Sequence, residues 1–276
     1  MDTLYRLDRA IIEIGGAGAR AFLQNLLTQD LDGLEVEGIQ YAALLSPQGK
    51  VQADMFLWPY GQDILADVDA SRADTVLRRL SMYNLRGVVG IHQTDQLGSI
   101  AWSSAPFANA HRDPRLPALG WRGFVNPGVN PPDGAKAYEA HRIELGVPDL
   151  ARDAQPDEVF AGEALLEELN GVAFDKGCFV GQENVSRMKR RATTRKKFCP
   201  IAFEGEAPAF GTPVLAGGAE IGTVRSGAPG RALALLRLDR ALEAQAAGKT
   251  LTAADRPVSL APPPWLILPQ REDNPS

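Results

Sequence analysis

Sulfur and imidazole are scarce in this sequence. Among 276 residues there are two cysteines, Cys178 and Cys199, and three scattered histidines, His92, His111 and His141. Neither cysteine sits in a CxxC pair, so a structural zinc site, which needs four closely spaced ligands, is not expected, nor is any other resident metal. A single 178–199 disulfide is conceivable, but nothing else in the composition suggests an oxidising compartment. No apolar run is long enough to cross a bilayer, so no membrane partner is expected. The opening "MDTLYRLDRAIIEIGG" has no basic segment leading into an apolar one and no Arg/Ser-rich transit pattern. A cytosolic location is the expectation from these absences.

Hydrophobic residues make up 45% and charged residues 23%, the balance of an ordinary globular protein long enough for two or three domains. The net charge is −5, which argues against nucleic acid as a general partner. Charge is unevenly placed, however. "RMKRRATTRKK", from Arg187 to Lys197, holds seven basic side chains and no acid, leaving −12 on the rest of the chain. Such a patch attracts a compact anion or a polyanionic tail, unless it is simply a solvated face. RNA is the weaker option, because no aromatics are interleaved.

Hydrophobic periodicity predicts an α+β fold. Leu4 to Ile14 reads as a strand, and "GARAFLQNLLTQDL" as a helix with Phe22, Leu23, Leu26 and Leu27 on one face. "GIQYAALLSPQGKVQADMFLWP" reads as a hairpin turning at Ser46-Pro47-Gln48-Gly49. "DILADVDA" is a strand, "SRADTVLRRLSMY" a helix opening at Ser71, and "RGVVGIHQ" a further strand. That succession points to an antiparallel layer rather than a parallel sheet. Residues 106–134, with ten Pro or Gly among 29, are an irregular connection with one strand at "WRGFV". "GAKAYEAHRIELG" is a helix stopped by Gly146 and Pro148, and "GEALLEELN" a shorter one. From Lys197 onward, short β runs punctuated by glycine predict a small barrel, ending in a disordered tail over 269–276.

The informative stretch is "DKGCFVGQENVSRMKRR", Asp175 to Arg191. A thiol is a nucleophile or metal ligand only as thiolate, so its pKa must be lowered. Lys176 lies two residues upstream, and a helix is expected to start near Gly181-Gln182 with Glu183 in its first turn. Cys178 then sits ahead of that helix's positive end, near Lys176 and Arg187. Gly177 and Gly181 permit close backbone approach or positive φ, and free N–H groups at such an end bind anions. The competing interpretation is an inert buried cysteine.

The string Lys176-Gly177-Cys178-Phe179-x-Gly181-Gln182-Glu183-x3-Arg187, eight specified positions over twelve residues, resembles the signature of YgfZ-type folate-binding proteins. These are relatives of the glycine-cleavage T-protein (aminomethyltransferase) that assist iron–sulfur protein maturation. "AFLQNLLTQDL", "YAALLSPQGKVQADMFL", "YEAHRIELGVPD" and "AEIGTVRSG…RALALLRLD" extend the likeness along most of the chain, but residues 103–134 do not.

The resemblance implies a ring of three domains, two α+β and one β-barrel, around a central channel for tetrahydrofolate. The boundaries implied are a folate-binding module over 1–195, split into 1–45 with 136–195 and 46–135, then a barrel over 196–268. It also implies that Asp54 contacts the folate and that Glu144 accepts from the pterin edge, with Arg142 preceding it. Tyr138 would stack on the heterocycle. Gln182 and Glu183 would orient the loop, while Gly181, Arg187 and the basic patch would seat folate's polyglutamate tail or a partner. Arg9 stands where relatives of the bacterial type can carry a pocket tryptophan. The function implied is a tetrahydrofolate-binding accessory factor for assembly or repair of [4Fe–4S] proteins, with iron–sulfur clients or scaffolds as partners. Cys178 is its functional thiol, ligating iron or sulfur transiently or acting in redox protection. A conventional turnover enzyme is not implied. The alternatives are a folate-dependent aminomethyltransferase of glycine cleavage and a Cys-dependent hydrolase or transferase, which would need a histidine beside Cys178.

Overall fold

The computed structural model describes residues 3–190 and 194–269. Its N-terminal segment is not one strand but two, β1 (Tyr5–Arg6) and β2 (Arg9–Gly15). They belong to different sheets, because the chain crosses between layers at Leu7 and Asp8: the Leu7 N–H donates to the Ile100 carbonyl, and the Asp8 carbonyl accepts from Ala70. After α1 (Ala19–Gln24) and the one-turn α2 (Leu34–Glu37), the expected hairpin forms from β3 (Gln40–Leu45) and β4 (Val51–Tyr60). The Ser46 carbonyl accepts from the Gly49 N–H to close its turn. A subdomain boundary between residues 45 and 46 would cut this hairpin, so that division does not describe the fold.

β5 (Asp63–Asp69), α3 (Ala73–Tyr83) and β6 (Gly90–Thr94) complete a five-stranded antiparallel sheet in the order β3-β4-β5-β2-β6. Strand alternation sorts its side chains cleanly. Ala10, Ile12, Ile14, Met55, Leu57, Ala66 and Val68 face α1 and α3 in one apolar core. The opposite face presents Ile11, Tyr41, Phe56 and Trp58 to the rest of the molecule. Arg9, Asp54 and Asp67 share that second face by the same two-residue period, and they place charge where a core would otherwise close.

A second sheet has the order β1-β7-β9-β8, from β7 (Ser99–Ser103), β8 (Ala110–Arg112) and β9 (Trp121–Val125). Within the Pro/Gly-rich connection β9 was anticipated and β8 was missed, as was β7 just ahead of it. Helix α4 (Ala135–Leu145) ends as expected, with Gly146 in the left-handed region at φ 78°. α5 (Leu150–Asp153) touches both β4 and the barrel strand β12 (Ala219–Ala228), and so ties the first sheet to the C-terminal part.

"GEALLEELN" is a correction. Residues 161–170 run as consecutive turns rather than a helix, with Leu165 at φ 61° and Asn170 at φ 53°, and a residue in that region breaks the i→i−4 ladder. Helix α6 (Gln182–Arg190) begins where the sequence placed it. The closed barrel follows in the order β10-β13-β12-β11-β14-β15. Besides β12 it uses β10 (Lys196–Ala202), β11 (Pro213–Ala216), β13 (Arg231–Arg237), β14 (Leu251–Ala253) and β15 (Arg256–Leu260). Helix α7 (Leu238–Ala246), not expected from the sequence, buries Leu238 and Ala241 against it. Arg191 and most of the expected tail lie outside the described residues.

Candidate functional site

Cys178 is exposed, and the loop that carries it is pinned on both sides. Upstream, the Lys176 ammonium is buried and donates to the carbonyls of Gln24 (2.7 Å), Leu27 (2.8 Å) and Gln29 (2.7 Å). These are carbonyls at and just beyond the end of α1, where a helix leaves acceptors without partners. Burial lowers the ammonium's pKa to about 8, against the pull of Asp30 and Asp32. Downstream, Phe179 is buried in the main core. Gly181, at φ 82°, passes so close to the β3–β4 turn that a Cβ would lie 2.6 Å from the Ser46 carbonyl oxygen. The Asn184 amide then donates to the Gln48 carbonyl at 2.9 Å. A missing Cβ at Gly177 would meet nothing within 4 Å, so the backbone beside the thiol is open.

Lys176 was expected to prime Cys178; its three N–H donors go to backbone carbonyls. Arg187 is tied to the Asn184 side-chain oxygen one turn back on α6. Gly181 provides close approach to a hairpin. Gln182 opens α6 with its N–H donating to the Phe179 carbonyl at 3.2 Å, and Glu183 is exposed in the first turn. Of the basic patch, Lys197 is buried and paired with Glu168 at 2.5 Å, and Lys189 pairs with Glu167. Two of its seven basic side chains are thus paired with glutamates.

The remaining expected residues lie elsewhere. Asp54 is half-buried on β4, five residues from Gly49, about 16 Å along an extended strand from the turn that Cys178's loop packs on. It accepts the Tyr41 hydroxyl at 2.9 Å. Burial, and then the Asp149 carboxylate, push Asp54 above its ordinary pKa, against the pull of Arg9. Around it stands a knot that sequence reasoning missed. Asp67 takes Arg9 at 2.5 Å and Arg122 at 2.9 Å, and Asp113 takes Arg115 at 2.7 Å. All three guanidinium groups lie over the Phe56 ring, with Arg122 at 3.9 Å from its centroid, Arg115 at 4.7 Å and Arg9 at 5.6 Å. Burial raises the Asp113 pKa, but Arg115 and Arg122 outweigh it and hold the carboxyl below its ordinary range.

Tyr138 is buried edge-on to Trp102, and its hydroxyl accepts from Arg115. Arg142, fully buried, donates to Asp153 at 2.8 Å, to Glu139 at 2.5 Å and to Ser226 at 2.9 Å, which makes it a structural tie. Glu144 is 71% exposed and pairs with Arg231 on the barrel. It does not face the centre, because it lies two residues beyond Arg142 on the same helix.

Tetrahydrofolate does not fit these residues. Beside Asp54 the void is about 10 Å³, lined by Gln52, Leu150 and Ala154 among others, which is room for one water. Ligand cavities run to roughly 300 Å³ or more. A wider cleft of about 720 Å³ is lined by Tyr41 and Asp113 together with Asp30, Glu37, Gln40 and His111, but Asp54, Tyr138, Arg142 and Glu144 are not part of its wall. Among the described residues no group of three His, Cys, Asp or Glu side chains could hold a metal ion. The histidines are engaged elsewhere: His92 lies near Glu13, His111 meets Trp58 edge-on and His141 contacts the Ala118 carbonyl.

Residues 195–267 match the family described as the CAF17 C-terminal beta-barrel domain. The mouse mitochondrial iron–sulfur cluster assembly factor IBA57 is 29% identical over 279 residues, covering 85% of this chain and 77% of its own. Its human counterpart is 28% identical over 84% of this chain and 76% of its own. The mitochondrial homologue from Pyricularia oryzae is 29% identical over 71% of this chain, but this chain spans only 56% of that relative's length. The glycine cleavage system aminomethyltransferase T from Bartonella henselae shares the fold at a TM-score of 0.75, with 15% identity, over 96% of this chain and 86% of that one. The cytosolic location expected from the N-terminal residues is overturned by these relatives, whose names are mitochondrial.

Proposed function

We propose that this chain, a homologue of the IBA57 iron–sulfur cluster assembly factors built on the aminomethyltransferase fold, serves in the assembly or repair of iron–sulfur proteins through Cys178. The observation that carries the proposal is an exposed thiol on a loop whose two neighbouring anchors, Lys176 and Phe179, are both buried. A loop held in this way presents sulfur to a partner without losing order on contact. The cargo, iron or an iron–sulfur cluster in transit, takes one iron–sulfur bond from Cys178, whose thiol proton leaves to solvent. Its other ligands come from the client or scaffold protein, since the only other cysteine, Cys199, is sealed inside the barrel with its thiol pushed up to about 12 by burial. Tetrahydrofolate is suggested by the fold alone. The residues assigned to it do not fit it, and the role of Cys178 does not depend on it.

The test is Cys178→Ala in cells whose own copy has been replaced. Activity of [4Fe–4S] client enzymes should fall several-fold while the far-UV spectrum and melting temperature of the purified variant stay at wild-type values. Unchanged client activity would refute the role of the thiol.

A further inference from the structure

Asp54 and Tyr138, which the resemblance assigns to a pterin, are engaged in this chain by its own side chains, Tyr41 and Arg115. Three planar guanidinium groups arrive from separate segments: Arg9 from β2, Arg115 from the loop before β9, and Arg122 from β9. They gather on Phe56 and are closed by Asp67 and Asp113, whose side chains are 0% and 1% exposed. Arg115 also lies over the Tyr41 ring at 5.4 Å and donates to the Tyr138 hydroxyl, so the aromatic faces beside Asp54 are already covered by flat cations. Asp54 itself spends an oxygen on Tyr41 and keeps a void of about 10 Å³. A flat heterocycle entering here would have to displace a guanidinium. It would thereby leave a buried aspartate without its partner, and stripping a buried ion pair of one member is strongly unfavourable.

We infer that the Arg9–Arg115–Arg122 knot on Phe56 is a protein-built replacement for the pterin, so that the centre of this molecule stays assembled without folate. Arg9 and Asp67 belong to the first sheet, while Arg122 belongs to the second. Asp67, shared between the two arginines, therefore joins both sheets across the place where a ligand would otherwise be the bridge.

The probe is tetrahydrofolate itself, titrated under reducing conditions into the purified full chain and followed by Trp fluorescence and by thermal melting. Wild type and Asp54→Ala should titrate indistinguishably, and tetrahydrofolate should leave the wild-type melting temperature unchanged. Arg122→Met should lower that temperature by about 10 °C. Saturable binding by the wild type that Asp54→Ala abolishes overturns the inference, whether or not Arg122→Met folds. Neither result bears on the role of Cys178, which is judged on client enzymes.

Discussion

At the scale of single residues, the two cysteines show how position rather than type decides chemistry. Cys178 is exposed beside an open glycine, while Cys199 is 0% exposed on β10. With Ellman's reagent at pH 8 the native protein should therefore show one rapid thiol, and a second only in guanidinium; two rapid thiols in the native state would contradict the structure. Lys176 belongs to the same scale. Its ammonium carries three charge-assisted hydrogen bonds to carbonyls, and Lys176→Met would leave those acceptors buried without a donor. Relief of the buried charge offsets part of this, so the expected loss in urea denaturation is about 2–3 kcal/mol rather than the full sum of three bonds. The expected consequence for Cys178 is indirect. A loosened loop should raise the rate of thiol labelling, whereas a lysine that primed the thiolate would, on removal, lower it.

At the scale of elements, Gly181 is the joint between the thiol loop and the β3–β4 hairpin. Gly181→Ala places a methyl 2.6 Å from a backbone oxygen in a left-handed conformation, so α6 must shift off the turn. Hydrogen exchange should rise over 177–185 with little change in the barrel; protection unchanged over 177–185 would show that the joint does not hold the loop. Much at this scale was legible in the sequence. The Pro-Gln-Gly turn set the hairpin, the lack of a breaker set α6, and glycine spacing marked the barrel strands. The turns at 161–170 were not legible, since "GEALLEELN" has good helix formers throughout and only tertiary packing puts Leu165 at positive φ. Glu144 was a legible error. A step of about 100° per residue sends it to the far side of α4 from Arg142, and the burial of Arg142 fixes which side faces inward. The arginine knot was legible only in part. Arg9, Asp54 and Asp67 are charges at inward-facing strand positions, which is a warning in itself, but nothing in the sequence brings Arg115 and Arg122 to them.

At the scale of the whole molecule, two buried arginines add polar joints to an apolar core that both sheets and the barrel share. Arg122 bridges the two sheets through Asp67. Arg142 bridges α4 to α5 through Asp153, and to the barrel through Ser226. Beside each lies a depressed carboxylate, Asp113 near Arg122 and Asp149 near Arg142, and these give the assembly a defined acid limit. Burial opposes ionisation of Asp113 and Asp149, but neighbouring arginines, Arg115 for the first and Arg142 for the second, win and hold both below the ordinary 3.8. A carboxyl whose pKa is lower folded than unfolded binds fewer protons in the native state, so its stabilisation is complete above 3.8 and is lost as pH falls below it. Asp54 runs the other way, since its raised pKa favours the native state at low pH and that contribution fades as pH rises through it. With Asp30, Glu158 and Asp239 also held down and Glu163 also raised, five depressed carboxylates against two raised ones leave a net loss on acidification. Melting temperature should hold roughly level from about pH 7 to 5 and fall steeply below about pH 4. Arg142→Leu should melt low at every pH, because it leaves Asp153 buried with backbone donors alone, a loss of about 3–5 kcal/mol. It should also flatten the acid limb, since Asp149 would no longer be held down by that guanidinium. If the variant keeps the wild-type acid slope, the carboxylates around Arg142 are not what sets the limit, and the joint between α5 and the barrel rests on apolar packing instead.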